Sequence, residues 1–174
     1  FNKKKKISDN LFEVEYGEYP QYAVDKSLGK TLEKKYQTGS LKKTGKTYTV
    51  NSGKWWGVEE DEFIPIQLEE YEYQEKRYVR ATYSNHFSCV LSNNQEYDED
   101  NVVWVEISPL KWILDEKEKI LVSEKILISG LLFWKVREEY KDFKNTEIYM
   151  FLNKYFINDI YSKKYEKRHE KVNG

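Results

Sequence analysis

Residues 102–115 read VVWVEISPLKWILD and contain the two strongest strand signals in the chain. β-Branched and aromatic residues dominate residues 102–107 and 110–114, which is typical of β-strands. Ser108 and Pro109 predict a break between the two strands, because proline lacks the N–H group that a sheet ladder needs. This stretch predicts a strand-rich middle of the chain.

Shorter strands are predicted on both sides of this stretch, where apolar and polar residues alternate. They cover residues 11–16, 46–50, 63–67, 68–73, 77–83 and 120–123. Gly17 and Pro20 are expected to end the first of them. Gln74 and Glu75 are expected to form the turn of the clearest hairpin, and residues 126–133 are predicted to be buried chain.

Two amphipathic helices complete an α+β fold with mainly antiparallel strands. Leu28, Leu32 and Tyr36 lie on one face of a helix predicted over residues 28–38, and a second helix is predicted over residues 145–157. Asn145 or Thr146 is expected to cap the second helix. The predicted organisation is a flexible basic arm (1–10), one α+β domain (11–161) and a polar tail (162–174).

Charge is strongly segregated along a chain whose net charge is only −1. Residues 1–58 have 12 Lys/Arg against 6 Asp/Glu, residues 59–118 have 5 against 16, and residues 119–174 have 12 against 8. The fold either brings these blocks together and cancels them or exposes charged faces that attract oppositely charged partners. Lysine outnumbers arginine 25 to 4, which argues against a sequence-specific DNA reader.

Six ordered sequence elements resemble an uncharacterised domain family of low-GC Firmicutes and their relatives. The elements are VEYGEYPQ at 14–21, TGKTYT at 44–49, the hairpin at 71–80, the strand pair at 103–115, LVSEKILISG at 121–130 and the ending at 140–160. The resemblance covers about residues 12–161 and implies a fold similar to C-type lectins and formylglycine-generating enzymes. It also implies a source in larger surface-associated proteins.

No catalytic or metal-binding pattern stands out. A pair of His86 and Cys89 could activate a thiolate, but residues three apart on a strand point to opposite faces. A single cysteine also excludes a disulfide framework, a Cys₂ or Cys₄ metal site and the cysteine pair of the formylglycine-type reaction. We expect no enzyme activity, cofactor or metal, although the sequence leaves open whether residues 98–100 bind calcium.

Aromatic and acidic residues are the candidate binding residues. Trp55 and Trp56 lie between Gly53 and Gly57, where exposed rings could stack on a sugar or a partner's apolar anchor; the alternative is that one ring packs in the core. Two tyrosines of the predicted hairpin and four acidic side chains complete the set. They are Tyr71, Tyr73, Glu60, Asp61, Asp98 and Asp100.

These features predict a non-enzymatic recognition module for a glycan, a peptide or a protein with a basic surface. The alternative is a small inhibitor from a mobile element, of the anti-CRISPR or nucleic-acid-mimic type, whose acidic face binds a basic nuclease surface. Free nucleic acid is not an expected partner, and no apolar run is long enough for a membrane span. The chain begins at Phe1 rather than Met, which is consistent with a trimmed N-terminus, and cytoplasm and cell surface both stay open.

Overall fold

The computed structural model describes residues 3–51, 65–82, 89–90, 96–97, 102–127 and 142–160. Within them the strands are β1 (Lys4–Lys6), β2 (Leu11–Ala23), β3 (Lys42–Asn51), β4 (Pro65–Tyr73), β5 (Lys76–Thr82), β6 (Cys89–Val90), β7 (Glu96–Tyr97), β8 (Val102–Asp115) and β9 (Ile120–Ser123). The helical elements are α1 (Lys26–Gln37), a 3₁₀ turn (Phe143–Asn145), α2 (Glu147–Phe151), a π-helix (Leu152–Phe156) and α3 (Ile157–Ile160).

The described strands form a mainly antiparallel, curled half-barrel sheet. Its order is β1-β2-β8-β5-β4-β3, β9 pairs with the C-terminal half of β8, and β6 and β7 form a separate pair. Strand β8 is central because its two halves pair with β5 and β9, while β2 runs along its other side. The prediction of mainly antiparallel strands is therefore confirmed.

The β4–β5 hairpin turns where the sequence predicted. Tyr73 pairs with Lys76, so Gln74 and Glu75 form a two-residue loop. Both have positive φ, 50° and 63°, as a type I′ turn requires at its two central residues. Pro65 is the first residue of β4, a position where its missing N–H group is tolerated.

Strand β2 does not end at Gly17 and Pro20, so that prediction is wrong. It continues to Ala23, and its pairing with β8 shifts register between Glu15 and Glu18. Gly17 lies in this irregularity with a φ of 79°, which glycine adopts without the steric penalty of a side chain. A Cβ atom on Gly17 would lie 3.1 Å from the Cβ atom of Ile160, so glycine also lets the C-terminal helical segment approach.

Strand β8 also continues through its predicted break. Pro109 pairs with Glu18 of β2 inside the ladder. Val105 and Ile107 nevertheless share one core cluster with Leu110 and Trp112, so the alternation of side chains shifts by one residue at positions 108–109. Ser108 and Pro109 therefore do not end the strand. They mark the point where successive side chains change the sheet face to which they point, which is the effect of a β-bulge.

Helix α1 is confirmed, two residues earlier than predicted at its start. The Asp25 carboxylate accepts hydrogen bonds from the N–H groups of Ser27 and Leu28, and this cap sets the first turn. Thr146 caps α2 by accepting from the Tyr149 N–H. The predicted second helix is thus present, but as the series α2, π-helix and α3, which we call the C-terminal helix (residues 147–160).

The two helices cover opposite faces of the sheet. The C-terminal helix contributes Phe151, Phe156 and Ile160 to one cluster with sheet residues. Its sheet members are Tyr19, Tyr48, Val79, Ile107 and Leu110. Helix α1 contributes Leu32 to the other cluster, with Tyr71, Tyr78 and Trp104.

The predicted basic arm is partly a strand. Lys4–Lys6 form β1 and pair with β2, with all three side chains exposed. The polar tail at 162–174 lies outside the described residues.

Candidate functional site

Most of the predicted binding residues lie outside the described part of the chain. They are Trp55, Trp56, Glu60, Asp61, Asp98 and Asp100. His86 lies outside it as well, and the backbone of Cys89 belongs to β6. The predictions made for these side chains stay predictions.

Tyr71 is part of the core beneath α1. Its ring is 4% exposed and makes edge contacts with Tyr36 and Trp104, each at a centroid distance of 5.7 Å. Burial and the hydrogen bond that its hydroxyl donates to Glu69 raise the pKa of Tyr71 to about 12. The ring therefore stabilises the helix–sheet contact and has no free face for a ligand. Tyr73 packs against the same cluster, with Lys35 Nζ 5.2 Å from its ring centroid.

Lysines of the basic N-terminal block pair with glutamates of the acidic middle block across strands. The salt bridges are Lys42–Glu72, Lys43–Glu69 and Lys4–Glu116. Pairing of β3 with β4 brings Lys42 and Lys43 close to their glutamates, whereas Glu116 lies in the turn that follows β8. In the described residues three other salt bridges join cations of the middle block to glutamates of the N-terminal block, so the fold offsets only part of the charge segregation seen along the sequence.

Glu70 is the centre of a buried polar network, which we call the Glu70 network. Its side chain is 3% exposed, and its two carboxylate oxygens accept from the hydroxyl groups of Tyr48 and Thr44, each at 2.8 Å. Arg77 lies 3.8 Å from the same carboxylate and bonds Glu18 at 2.9 Å. A buried carboxylate is stable only with such partners. The network therefore links β2, β3, β4 and β5.

Two further groups of this region are electrostatically perturbed. Burial lowers the pKa of Lys46, although the nearby carboxylates of Glu70 and Glu18 oppose that effect. Burial, together with the negative charge and hydrogen bond of Glu70, raises the pKa of Tyr48 far above its usual value. Perturbed groups of this kind also occur at functional sites, but here each acidic or phenolic group is held by a neighbour within the fold.

The outer edge of β3 is covered by side chains. The Thr49 N–H donates to the Asp159 carboxylate of α3 at 2.6 Å, and the Tyr19 hydroxyl donates to the Thr49 carbonyl at 3.4 Å. Burial raises the pKa of Asp159, while the Thr49 N–H and Lys46 oppose that effect. The C-terminal helix and β2 thus occupy the edge at which another strand could add.

A second network fixes α1 on the sheet. The Glu33 carboxylate accepts two bonds from Arg80, at 2.9 and 3.0 Å, one from Trp104 Nε1 at 3.1 Å and one from Gln37 at 2.8 Å. The hydrogen bonds from Arg80 are the main reason why the pKa of Glu33 is lowered. Sequence reasoning missed both networks. The signal available was the rarity of arginine, since Arg77 and Arg80 are two of only four in the chain.

The end of the sheet that carries β9 differs from its other edges. Four of the nine exposed large apolar side chains in the described part lie here: Ile120, Leu121, Val122 and Ile126. Ile126, predicted to be buried chain, is 87% exposed. Among the described strands only β8 pairs with β9, so the second edge of β9 has no described strand partner. We call β9 and the paired residues 112–115 of β8 the β9 arm.

No described helix is long and apolar enough to cross a membrane. The described residues also contain no group of three or more His, Cys, Asp or Glu side chains that could hold a metal ion. Comparison with known proteins finds no matching family model, no matching curated protein and no matching solved structure.

Proposed function

We propose that this chain is a non-enzymatic recognition module that binds an extended segment of a protein partner along the β9 arm. The observation that carries the proposal is the contrast between the three terminal strands of the described sheet, β1, β3 and β9. Edge strands expose unpaired backbone groups, and proteins that avoid unwanted pairing protect them with charge or cover them.

Two of these three strands are protected. Strand β1 consists of three exposed lysines, and the outer edge of β3 is covered at Thr49 by Asp159 and Tyr19. Strand β9 has the sequence ILVS without a charged residue. Its first three side chains are 52%, 36% and 56% exposed.

This chemistry suits strand addition by a partner. Main-chain hydrogen bonds to the edge supply affinity, and alternate side chains of the added segment supply specificity through apolar contacts. Ile120 and Val122 lie on one face of the strand and Leu121 on the other. A segment with alternating apolar residues would therefore extend the apolar strip on either face.

Among the ligand classes expected from the sequence, the proposal names a peptide or protein. It assigns the binding surface to the β9 arm instead of residues 55–56. The fold expectation of a C-type-lectin-like arrangement belongs to the same proposal, supported by an antiparallel sheet with helices on its faces. An acidic inhibitory face gains no support from the three glutamates of β4, because two of them, Glu69 and Glu72, pair with lysine.

A peptide-display selection tests the proposal. Random peptides are selected on the unmodified protein and then assayed on an Ile120→Thr/Val122→Thr variant, which keeps strand propensity but removes apolar surface. Ile66→Thr is the matched control, because Ile66 is an isoleucine of β4 with 40% exposure away from the arm.

We expect the selected peptides to have alternating apolar residues. Their affinity for the Ile120→Thr/Val122→Thr variant should be at least tenfold lower than for the unmodified protein, about 1.4 kcal/mol. Their affinity for the Ile66→Thr control should be unchanged. Hydrogen exchange of the Ile120–Ser123 amides should slow on binding. Selected peptides that bind both variants equally, or that protect amides elsewhere, would contradict the proposal.

A further inference from the structure

The exposed face of α1 carries a row of three lysines. Leu28, Leu32 and Tyr36 pack toward the sheet, which leaves Lys26, Lys30 and Lys34 exposed. Positions four apart are separated by about 6 Å along a helix and rotated by about 40°. Their Cα atoms therefore span about 12 Å along the helix axis and turn by about 80° around it. We call this slanted row the α1 lysine stripe.

These lysines differ from most others in the described part of the chain. Eight exposed or half-exposed lysines there form salt bridges: Lys3, Lys4, Lys6, Lys42, Lys43, Lys76, Lys111 and Lys117. In the same residues no salt bridge or ring contact involves a lysine of the stripe. Among the described residues the stripe lysines therefore have no carboxylate partner.

The helix does not neutralise the stripe itself. No acidic residue lies in its first turn, although a carboxylate there would be favourable. Its one glutamate, Glu33, is occupied by Arg80 and Trp104. Asp25 accepts two N–H groups as the helix cap. The exposed charged residues of α1 are therefore all lysines.

We infer that the α1 lysine stripe binds a short, extended acidic segment of a protein partner, with carboxylates at alternate positions. In an extended chain alternate side chains lie on one side and repeat about every 6.6 Å. That repeat agrees within about a tenth with the rise of about 6 Å along the helix axis between successive lysines of the stripe. This surface is separate from the β9 arm, and the inference does not depend on it.

The size and chemistry of the stripe favour this partner over other anions. Polybasic lipid-binding clusters typically have 4–8 basic residues, and DNA-binding surfaces commonly neutralise about 6–10 phosphates. The stripe has three lysines, no arginine and no exposed aromatic ring for base stacking. An acidic partner helix would need apolar contact as well, whereas Ser27 and Thr31 are the exposed residues between the lysines.

Fluorescence polarisation with two labelled peptides of equal composition tests the inference. One peptide alternates glutamate and serine, and the other has the glutamates and serines in separate blocks. Each is titrated with the unmodified protein and with a Lys26→Gln/Lys30→Gln/Lys34→Gln variant. The charge-matched control is Lys5→Gln/Lys119→Gln/Lys144→Gln, which removes three exposed lysines from other elements.

We expect the unmodified protein to prefer the alternating peptide at about 0.02 M salt and to lose most of that binding at about 0.5 M salt. The stripe variant should bind about tenfold more weakly, since each exposed ion pair contributes little alone. The control variant should change less than about twofold.

Three results would overturn the inference. Equal weakening of both variants would show that only the net charge matters, and equal binding of the block peptide would remove the spacing argument. Tighter binding of an oligothymidylate or of phosphatidylserine vesicles through the same lysines would assign the stripe to phosphate groups. Circular dichroism of both variants checks that α1 is intact.

Discussion

Replacing Glu33 by glutamine should loosen α1 from the sheet. The two oxygens of Glu33 accept four hydrogen bonds: two from Arg80, one from Trp104 and one from Gln37. A glutamine side chain keeps one acceptor oxygen and turns the other into a donor. Two of the four donors must therefore lose their acceptor, whichever way the amide points.

The magnitude follows from the kind of bonds that are lost. A hydrogen bond to a charged group contributes about 1.5–3 kcal/mol. The Arg80 and Glu33 side chains are 21% and 26% exposed, so water offsets part of the loss. We expect the free energy of unfolding to fall by about 2–3 kcal/mol. With a urea m-value of about 2 kcal/mol/M, the midpoint should fall by about 1–1.5 M.

Equilibrium urea denaturation at several pH values is the assay, with Gln37→Ala as a control that removes one neutral donor only. Because the pKa of Glu33 is lowered in the fold, its contribution is complete above the unfolded pKa and is lost as the pH falls through the folded pKa. The difference in the free energy of unfolding between the unmodified protein and the Glu33→Gln variant should therefore be largest at neutral pH and should decrease below about pH 4. A free energy of unfolding of the Glu33→Gln variant within about 0.5 kcal/mol of the unmodified protein at neutral pH would refute the reasoning. A difference between the two proteins that does not change at acid pH would refute it as well.

Three further predictions concern the other face of the sheet. Gly17→Ala should lower the free energy of unfolding by about 1–3 kcal/mol, and by more than Gly39→Ala in the same denaturation assay. Both glycines have positive φ, but only Gly17 has Ile160 within 4 Å of the added Cβ atom. Equal losses would mean that the close approach of Ile160 is unimportant. Phe151→Ala should lower it by about 3–5 kcal/mol, since the ring is 1% exposed, and a loss below about 1 kcal/mol would show that the C-terminal helix is not anchored there. The phenol of Tyr48 should stay protonated through the alkaline range, because burial and Glu70 raise its pKa. A Tyr48→Phe variant should therefore show the same phenolate absorbance as the unmodified protein up to about pH 11. A smaller phenolate absorbance of the variant would contradict this.

Features decided by neighbouring residues could be predicted from the sequence. The spacing of Leu28, Leu32 and Tyr36 predicted α1, and the alternation on both sides of Gln74 and Glu75 predicted the hairpin. The strand at 120–123 was predicted with its observed bounds. Periodicity and turn position are properties of a few consecutive residues, so the sequence expresses them without the rest of the fold.

Features decided by partners far away in the chain could not be predicted in this way. Gly17 and Pro109 have break signals, but pairing between β2 and β8 carries both strands through them as irregularities. The candidate Tyr71 became a core residue only because α1 covers that face of the sheet. The local sequence limits the backbone conformations and environments that a residue can adopt, and packing against the neighbouring strand or helix determines which of them occurs.

The sequence by itself determined the strand-rich α+β character, the helix near residue 30 and the unequal distribution of charge along the chain. Only the tertiary structure decided which charges cancel. It paired Lys42 and Lys43 with glutamates of β4 and enclosed Glu70 among hydroxyl groups, while the lysines of α1 form no salt bridge with any described residue. The physical reason is that a Coulomb interaction depends on the distance between charges and on their exposure to water, and both are properties of the folded chain.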